Sequence, residues 1–337
     1  MKKHINIPVF IPHYGCPNDC VFCNQKKITG KKSYDRSEVI RDIETALSTV
    51  DKDNAEVELA FFGGSFTAIP RNEMLELLEV SDRFMERGLI DSVRLSTRPD
   101  AISGEILDIL ISHGVKTVEL GLQSFSDTVL EASRRGHTAS QSEDACKLIK
   151  YYGFTLIGQM MVGLPSSTAD DEIMTADTIC RLGCDGARIY PTVVFPDTAL
   201  MDMTRSGLYT PLSNDEAIER TAKVIGVFAQ NNTKIIRIGL CANETLSGEE
   251  FKGNYHPAIG ELSVNRYYLD KMTELLLREP ATEGKTAVFS VSRGRISQAV
   301  GQKRRNITAL LERFGLRDIK VTESYESRAF SLSLDIN

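Results

Sequence analysis

Hydrophobic and polar positions along this chain fall into two kinds of segment that alternate. Short runs with the length and composition of buried strands lie at 6–11, 56–62, 92–97, 117–121, 154–162 and 186–190. Between and after them come longer stretches with apolar residues at helical spacing, at 36–50, 72–87, 103–113, 140–152, 168–182 and 214–230. In the second of these, Met74, Leu77, Leu78, Ser81 and Phe84 share one helical face, and Ser103 stands where the next helix needs an N-cap. Six strand–helix units in one run predict a parallel sheet with helices outside, an α/β fold shaped as a partial (β/α)6 TIM-like barrel. Past about residue 245 the pattern changes. Residues 255–260 read as a junction and 266–277 as a helix. A strand (287–292), a short helix (296–300), a basic loop, a helix (307–314) and a strand (319–322) follow. The expected organisation is a barrel over 1–245 and an extension over 246–337, with a small α+β module of βααβ order at about 285–325.

Composition narrows the class. Hydrophobic content of 42% and charged content of 26% are those of an ordinary globular chain, and no run of eighteen apolar residues predicts a membrane span. Pro8, Pro12 and His13 interrupt the one N-terminal stretch that resembles a signal peptide. Seven cysteines in no even framework argue for a reducing, cytoplasmic setting. The net charge of −6 hides a segregation: residues 293–320 hold eight Lys or Arg against two acids, so the rest of the chain carries −12.

Three of the seven cysteines fall within eight residues, as Cys16, Cys20 and Cys23 in the spacing C-x3-C-x2-C. Thiolates that close together can share a metal centre. Four cysteines complete a 4Fe–4S cluster, so three leave one iron open, where chemistry happens. A zinc site completed by His13, or three unrelated thiols, stays open on spacing alone. Downstream, Phe61-Phe62-Gly63-Gly64-Ser65-Phe66-Thr67 puts paired glycines at the end of the second strand, where backbone can approach a ligand closely. In a parallel barrel the site lies at the carboxyl ends of the strands. Arg98 and Gln123 follow strands three and four there. Arg98 suits a carboxylate or phosphate clamp, or a rim ion pair. Gln123 suits a hydrogen bond to ribose or substrate, or a buried amide satisfied by backbone.

With Phe22 as the aromatic residue before the last cysteine, the chain resembles the radical S-adenosylmethionine (SAM) superfamily. The strings Val118-Glu119-Leu120-Gly121-Leu122-Gln123-Ser124, Arg135-Gly136-His137-Thr138 and Ile189-Tyr190-Pro191-Thr192 are similar to the catalytic subunit of Elongator, a tRNA-modifying family within it. The resemblance covers roughly residues 8–245. It implies that Cys16, Cys20 and Cys23 bind a 4Fe–4S cluster and that Phe22, Gly63, Gly64, Ser65, Arg98 and Gln123 line the SAM pocket. It also implies an electron donor of flavodoxin or ferredoxin type. Ser96 stands where that family has glutamate, and the Cys16–Cys20 gap is shorter than Elongator's. The family's acetyltransferase domain finds no room in 337 residues, so acetyl transfer is not expected.

The βααβ pattern resembles the KH-type RNA-binding module, whose GXXG loop clamps nucleotides. Here that loop reads Gly301-Gln302-Lys303-Arg304, and Lys303, Arg304 and Arg305 are the expected RNA contacts. Lys26, Lys27, Lys31 and Lys32 would add charge near the barrel mouth. Cys146, Cys180, Cys184 and Cys241 read as core or isolated thiols, and His137 as a proton donor or a polar rim residue. The reading that follows is a radical SAM enzyme acting on tRNA or another RNA, with no assigned catalytic side chain. The alternatives are a small-molecule dehydrogenase similar to oxygen-independent coproporphyrinogen oxidase and a zinc-stabilised RNA-binding adaptor.

Overall fold

Seven parallel strands build the larger sheet, one more than the sequence pattern predicts. They are β1 (Lys3–Ile11), β2 (Ala55–Gly63), β3 (Ser92–Thr97), β4 (Val115–Gln123), β5 (Thr155–Val162), β6 (Gly186–Pro191) and, after a two-residue strand β7 (Val193–Val194), β8 (Lys234–Ile238). The computed structural model describes residues 2–11, 16, 19–24, 35–240, 252–253, 255–324 and 329–337. Strand order is β1-β2-β3-β4-β5-β6-β8, so each strand lies beside its predecessor and the sheet curls into a partial barrel. Its first and last strands are not paired with one another, and among the described residues the barrel stays open along the seam between β1 and β8.

The crossovers are helical: α1 (Arg36–Leu47), α2 (Arg71–Glu86), α3 (Gly104–Ser112), α4 (Asp127–Ala132), α5 (Ala139–Tyr151), α6 (Ala169–Arg181), α7 (Ala199–Arg205) and α8 (Asn214–Gln230). Their starts follow local chemistry. The Ser103 hydroxyl accepts from the Ile106 amide, as the sequence predicts, and Thr138, Thr168 and Ser213 form capping boxes with Gln141, Asp171 and Glu216. Each such cap stabilises its helix by about 1 kcal/mol.

Side chains alternate between the two faces of the sheet. The convex face is dry: Leu59, Phe61, Leu95, Val118, Leu120 and Leu156 pack with helix residues such as Leu78, Leu107, Ile149 and Ile179 in one continuous core. The concave face carries charge. Arg94 donates from Nε to Glu58 Oε2 (2.6 Å) and from Nη1 to Glu119 Oε1 (2.8 Å). Arg188 donates from Nη2 to Glu119 Oε1 (2.9 Å), and Gln159 Nε2 to Glu119 Oε2 (2.9 Å). Thr117 Oγ1 donates to Glu58 Oε1 at 3.0 Å. Glu58 and Glu119 are almost fully buried, so this ladder holds only because every carboxylate oxygen has a donor.

After the barrel, α9 (Ile259–Leu276) begins inside the stretch expected to be a junction, seven residues before the predicted start at residue 266. Its first turn lies against the end of β8, where a Cβ on Gly260 would come within 2.8 Å of the Ile238 carbonyl oxygen. Then follow β10 (Thr286–Ser292), α10 (Ile296–Val300), α11 (Arg305–Phe314), β11 (Asp318–Ser324) and β12 (Leu332–Ile336), with the two-residue strand β9 (Lys252–Gly253) earlier, paired to β7. The predicted βααβ order is present. β10 pairs in parallel with β11, and β12 adds an antiparallel strand that the pattern did not show. Tyr267 on α9 meets Phe330 edge-on and Tyr268 meets it at a tilt, joining this small sheet to the barrel core. The expected boundary at 245/246 lies outside the described residues. No described helix is long and apolar enough to cross a membrane.

Candidate active site

The segments that leave β1 to β6 meet on one rim, and the cysteine loop is fastened to the others. The Val21 amide donates to the Ser133 carbonyl (3.2 Å), the Leu200 amide to the Val21 carbonyl (2.8 Å), and Asn24 Nδ2 to the Pro196 carbonyl (2.8 Å). Val21 is buried with Val194, Leu200, Met201 and Tyr209, and half-buried Phe22 packs on that cluster. A tight turn, Cys23 N–H to Cys20 O at 3.0 Å, closes the end of the loop. The thiols are therefore placed by the segments after β4 and β6 as well as by β1.

Cys16 Sγ lies 3.2 Å from the Ser65 hydroxyl, directly after the paired glycines. Gly63 has φ +110°, a conformation that a side chain would oppose. Beneath, Phe66 stacks on Phe61 with ring centroids 4.7 Å apart, and Thr67 Oγ1 donates to the Ala101 carbonyl (2.7 Å) while meeting Thr97 Oγ1 at 2.6 Å. These contacts lock the glycine segment to the end of β3.

Arg98 proves to be both an ion-pair residue and a buried one. It is 2% exposed, paired with Asp100, and donates from Nη2 to the Arg135 carbonyl. Burial alone would lower its pKa; the Asp100 carboxylate, with Cys16 and Cys20 nearby, holds it above the ordinary value. Gln123 follows a bulge in β4, with φ +67°, in a γ-turn closed by the Ser124 amide and the Leu122 carbonyl (2.9 Å). Its Oε1 is buried without a partner, so the satisfied-amide alternative does not hold. His137 is buried. Burial, then the charge of Arg135, hold its pKa down at about 4, so the ring is neutral near pH 7 and has no imidazolium proton to give.

Arg135 had no assigned role in the sequence, although its string carried the family resemblance. It donates from Nη1 to Cys20 Sγ (3.2 Å) and from Nη2 to the Gly121 carbonyl (2.6 Å). Gly121 makes room for it: a Cβ there would stand 3.4 Å from Nη2 and 3.3 Å from Gln123 Nε2. The charged ladder below was likewise unassigned, and its signal was the alternation in Val57-Glu58-Leu59, Val93-Arg94-Leu95 and Val118-Glu119-Leu120.

The donor set fits an open cluster and a polar ligand. Guanidinium groups flank the thiols, and Arg98 Nη1, Gln123 Oε1 and Arg135 Nε are buried polar atoms with no partner among the described residues. Buried groups left in that state are costly; a ligand carboxylate or hydroxyl oxygen would accept from the two guanidinium N–H groups, and a ligand amine or hydroxyl would donate to Gln123 Oε1. Among the described residues no three His, Cys, Asp or Glu side chains converge on a single ion. Thiols that hold a polynuclear cluster rather than one ion would not need to. His13, Lys26, Lys27, Lys31, Lys32 and Cys241 lie outside the described residues. Cys146 and Cys184 are core thiols, each pressed on the other; that contact and burial push Cys184 up. Cys180 accepts a hydrogen bond from Thr233 Oγ1.

The expected GXXG stretch lies between α10 and α11, and its residues Gln302, Lys303 and Arg304 form a 3-10 turn with exposed side chains. Lys303 and Arg304 adopt φ of +52° and +60°. Arg304, at the second glycine position of the pattern, thus keeps the left-handed backbone a glycine would favour. Asn306 Nδ2 donates to the Asn265 carbonyl on α9 (2.8 Å) and the Ala299 carbonyl (3.0 Å), anchoring the loop. Asn265 is five residues beyond Gly260, so that anchor is about 8 Å along the helix from the barrel rim.

Comparison with known proteins agrees with this geometry. The Radical SAM superfamily model matches residues 10–179, half of the chain, and the Radical_SAM C-terminal domain model matches 184–271, across the expected domain boundary. Elongator complex protein 3 of Homo sapiens is 26% identical over 201 residues, which are 53% of this chain and 36% of that protein. The tRNA uridine(34) acetyltransferase of Dehalococcoides mccartyi is 32% identical over 123 residues, 36% of this chain and 27% of that protein. The chain thus spans about a third of those relatives. The archaeal Methanocaldococcus infernus Elp3 structure superposes with a TM-score of 0.62 at 20% identity, covering 81% of this chain and 64% of that one, a likeness of fold.

Proposed function

Because the chain belongs to the radical SAM superfamily, whose cofactors are a 4Fe–4S cluster and SAM, we propose that it uses them to modify RNA, with tRNA the preferred substrate. Bound at Cys16, Cys20 and Cys23, the cluster would supply the electron that splits SAM into methionine and a 5′-deoxyadenosyl radical. The protein's part is placement. Phe22 and its apolar neighbours hold the cysteine loop, and Arg135 steadies the Cys20 sulfur. Gly63, Gly64 and Ser65 offer backbone to the methionine end of SAM, and Arg98 and Gln123 offer the buried polar atoms that lack partners. The buried charge ladder closes the floor beneath and limits water, which protects a reactive intermediate. An electron donor of flavodoxin or ferredoxin type and a cytoplasmic setting complete the reading.

The observation that carries the RNA assignment is the basic loop of Lys303, Arg304 and Arg305, tied through Asn306 to the helix that starts at the barrel rim. With the anchor about 8 Å along the helix from the rim, a polymer held on the loop can also reach the mouth. The name of one relative, the tRNA uridine(34) acetyltransferase, supports the same substrate class. The test is filter binding of unfractionated tRNA, with Lys303, Arg304 and Arg305 together replaced by glutamate. Without these three phosphate-binding cations, the dependence of log K on log salt should flatten by about 2. Unchanged affinity and salt dependence would refute the assignment. Comparing the modified nucleosides of tRNA from cells with and without the gene would identify the product.

A further inference from the structure

The open seam of the barrel has unlike chemistry on its two lips. On β1, Ile7, Val9 and Ile11 face the dry core, which leaves Phe10 on the concave face, 42% exposed. Its Cα partner on β2 is Phe62, whose ring already carries the Arg188 guanidinium 5.7 Å from its centroid. Phe10 is therefore a large flat apolar surface turned into the chamber, six residues before the first cluster thiol. On the other lip, Arg237 of β8 is the Cα partner of Arg188 and shares its concave face. Glu58 and Glu119 are engaged by Arg94 and Arg188. Arg237 is left with one backbone acceptor, the Gly239 carbonyl at 3.0 Å from its Nε. Among the described residues the ladder together with β8 thus sets the two buried carboxylates Glu58 and Glu119 against three guanidiniums, and the third stands at the seam.

We infer that this seam admits a single nucleotide of the RNA substrate, its base stacked on Phe10 and its phosphate held by Arg237. The inference rests on the RNA reading above and names how that substrate is gripped. A π face on one lip and an available cation on the other match a nucleotide, which has one flat base and one anionic phosphate per unit. A peptide backbone offers no anion at each residue, and a tetrapyrrole with several carboxylates would need more than the one guanidinium available at the seam. Base–aromatic stacking is tolerant of sequence, so Phe10 supplies grip while the selection of position falls to the rest of the RNA.

The experiment uses the full chain, reconstituted anaerobically, with unfractionated tRNA as the probe. Zero-length ultraviolet crosslinking followed by peptide mass spectrometry should place a nucleotide adduct on Phe10. Phe10→Leu should weaken tRNA-stimulated 5′-deoxyadenosine formation about 10- to 100-fold, the range expected for removing one base stack, and Phe10→Trp should restore it. Arg237→Gln should flatten the salt dependence of tRNA binding by about 0.7. Iron–sulfide absorbance and the melting temperature verify that each variant is folded and loaded. If wild-type protein binds tRNA through Lys303, Arg304 and Arg305 but Phe10 carries no adduct and Phe10→Leu behaves as wild type, the seam assignment is overturned and the RNA reading stands. If wild-type protein binds no tRNA, both fall.

Discussion

The two faces of the large sheet solve different problems with the same strands. On the convex face, Leu95 and Val118 are wholly buried against helices and need nothing but shape. One strand position away, Arg94 and Glu119 are nearly as buried but survive only as a ladder in which each charge answers another. The contrast sharpens toward the rim. At the floor the Arg94 and Arg188 guanidiniums each have a carboxylate, whereas around Cys16 and Cys20 the atoms Arg98 Nη1, Gln123 Oε1 and Arg135 Nε have no partner among the described residues. Pairing marks the part of the concave face that holds the fold, and its failure marks the part that waits for a ligand.

The ladder gives the largest way to break this comparison. Glu119→Ala leaves Arg94 and Arg188 without their shared carboxylate and should cost about 3–5 kcal/mol in denaturant unfolding. Leu95→Ala on the other face should cost a similar 2–5 kcal/mol through a cavity. Salt separates the two, since added anions can partly compensate stranded guanidiniums and cannot fill a void. A Glu119→Ala variant as stable as wild type would show that the ladder does not hold the floor.

Acid sharpens the comparison next. His137 titrates at about 4 in the folded chain against 6.5 when free. The unfolded chain binds that proton first as pH falls, so stability is complete above about 6.5 and is lost between there and about 4, roughly 3 kcal/mol in all. The His137→Gln variant should lose this part of the pH slope, and an identical slope in both proteins would contradict the burial argument.

The smallest effect lies at the rim. Gln123 keeps a left-handed backbone and an unsatisfied oxygen, so Gln123→Gly should raise stability by about 1 kcal/mol while weakening SAM binding. Gains in both, or losses in both, would show that the strain serves no ligand.

Much of this was legible in the residues. Helical spacing, caps such as Ser103 and the alternation of strands with helices located the barrel, and the three cysteines with Gly63 and Gly64 located its rim. The seventh strand was missed because Lys234–Ile238 is nowhere fully buried and carries Lys234 and Arg237, so it shows no buried apolar run. β12 was missed although Leu332–Ile336 alternates apolar and polar, the mark of a half-buried strand. Treating each strand as an apolar run hid the ladder, even though Val57-Glu58-Leu59 and Val118-Glu119-Leu120 spell it out. Arg135 was hidden more deeply. Its contact with Cys20 spans 115 residues, and nothing local announces it.

The central claim is that three thiols on this rim hold an iron–sulfur cluster with one iron open to SAM. Electron paramagnetic resonance of the reduced, anaerobically reconstituted protein tests it most directly. The account predicts about four irons per chain, a cluster signal that shifts when SAM is added, and loss of both signal and 5′-deoxyadenosine in Cys20→Ala. A single bound zinc, or a cluster whose signal SAM leaves unmoved, would contradict it.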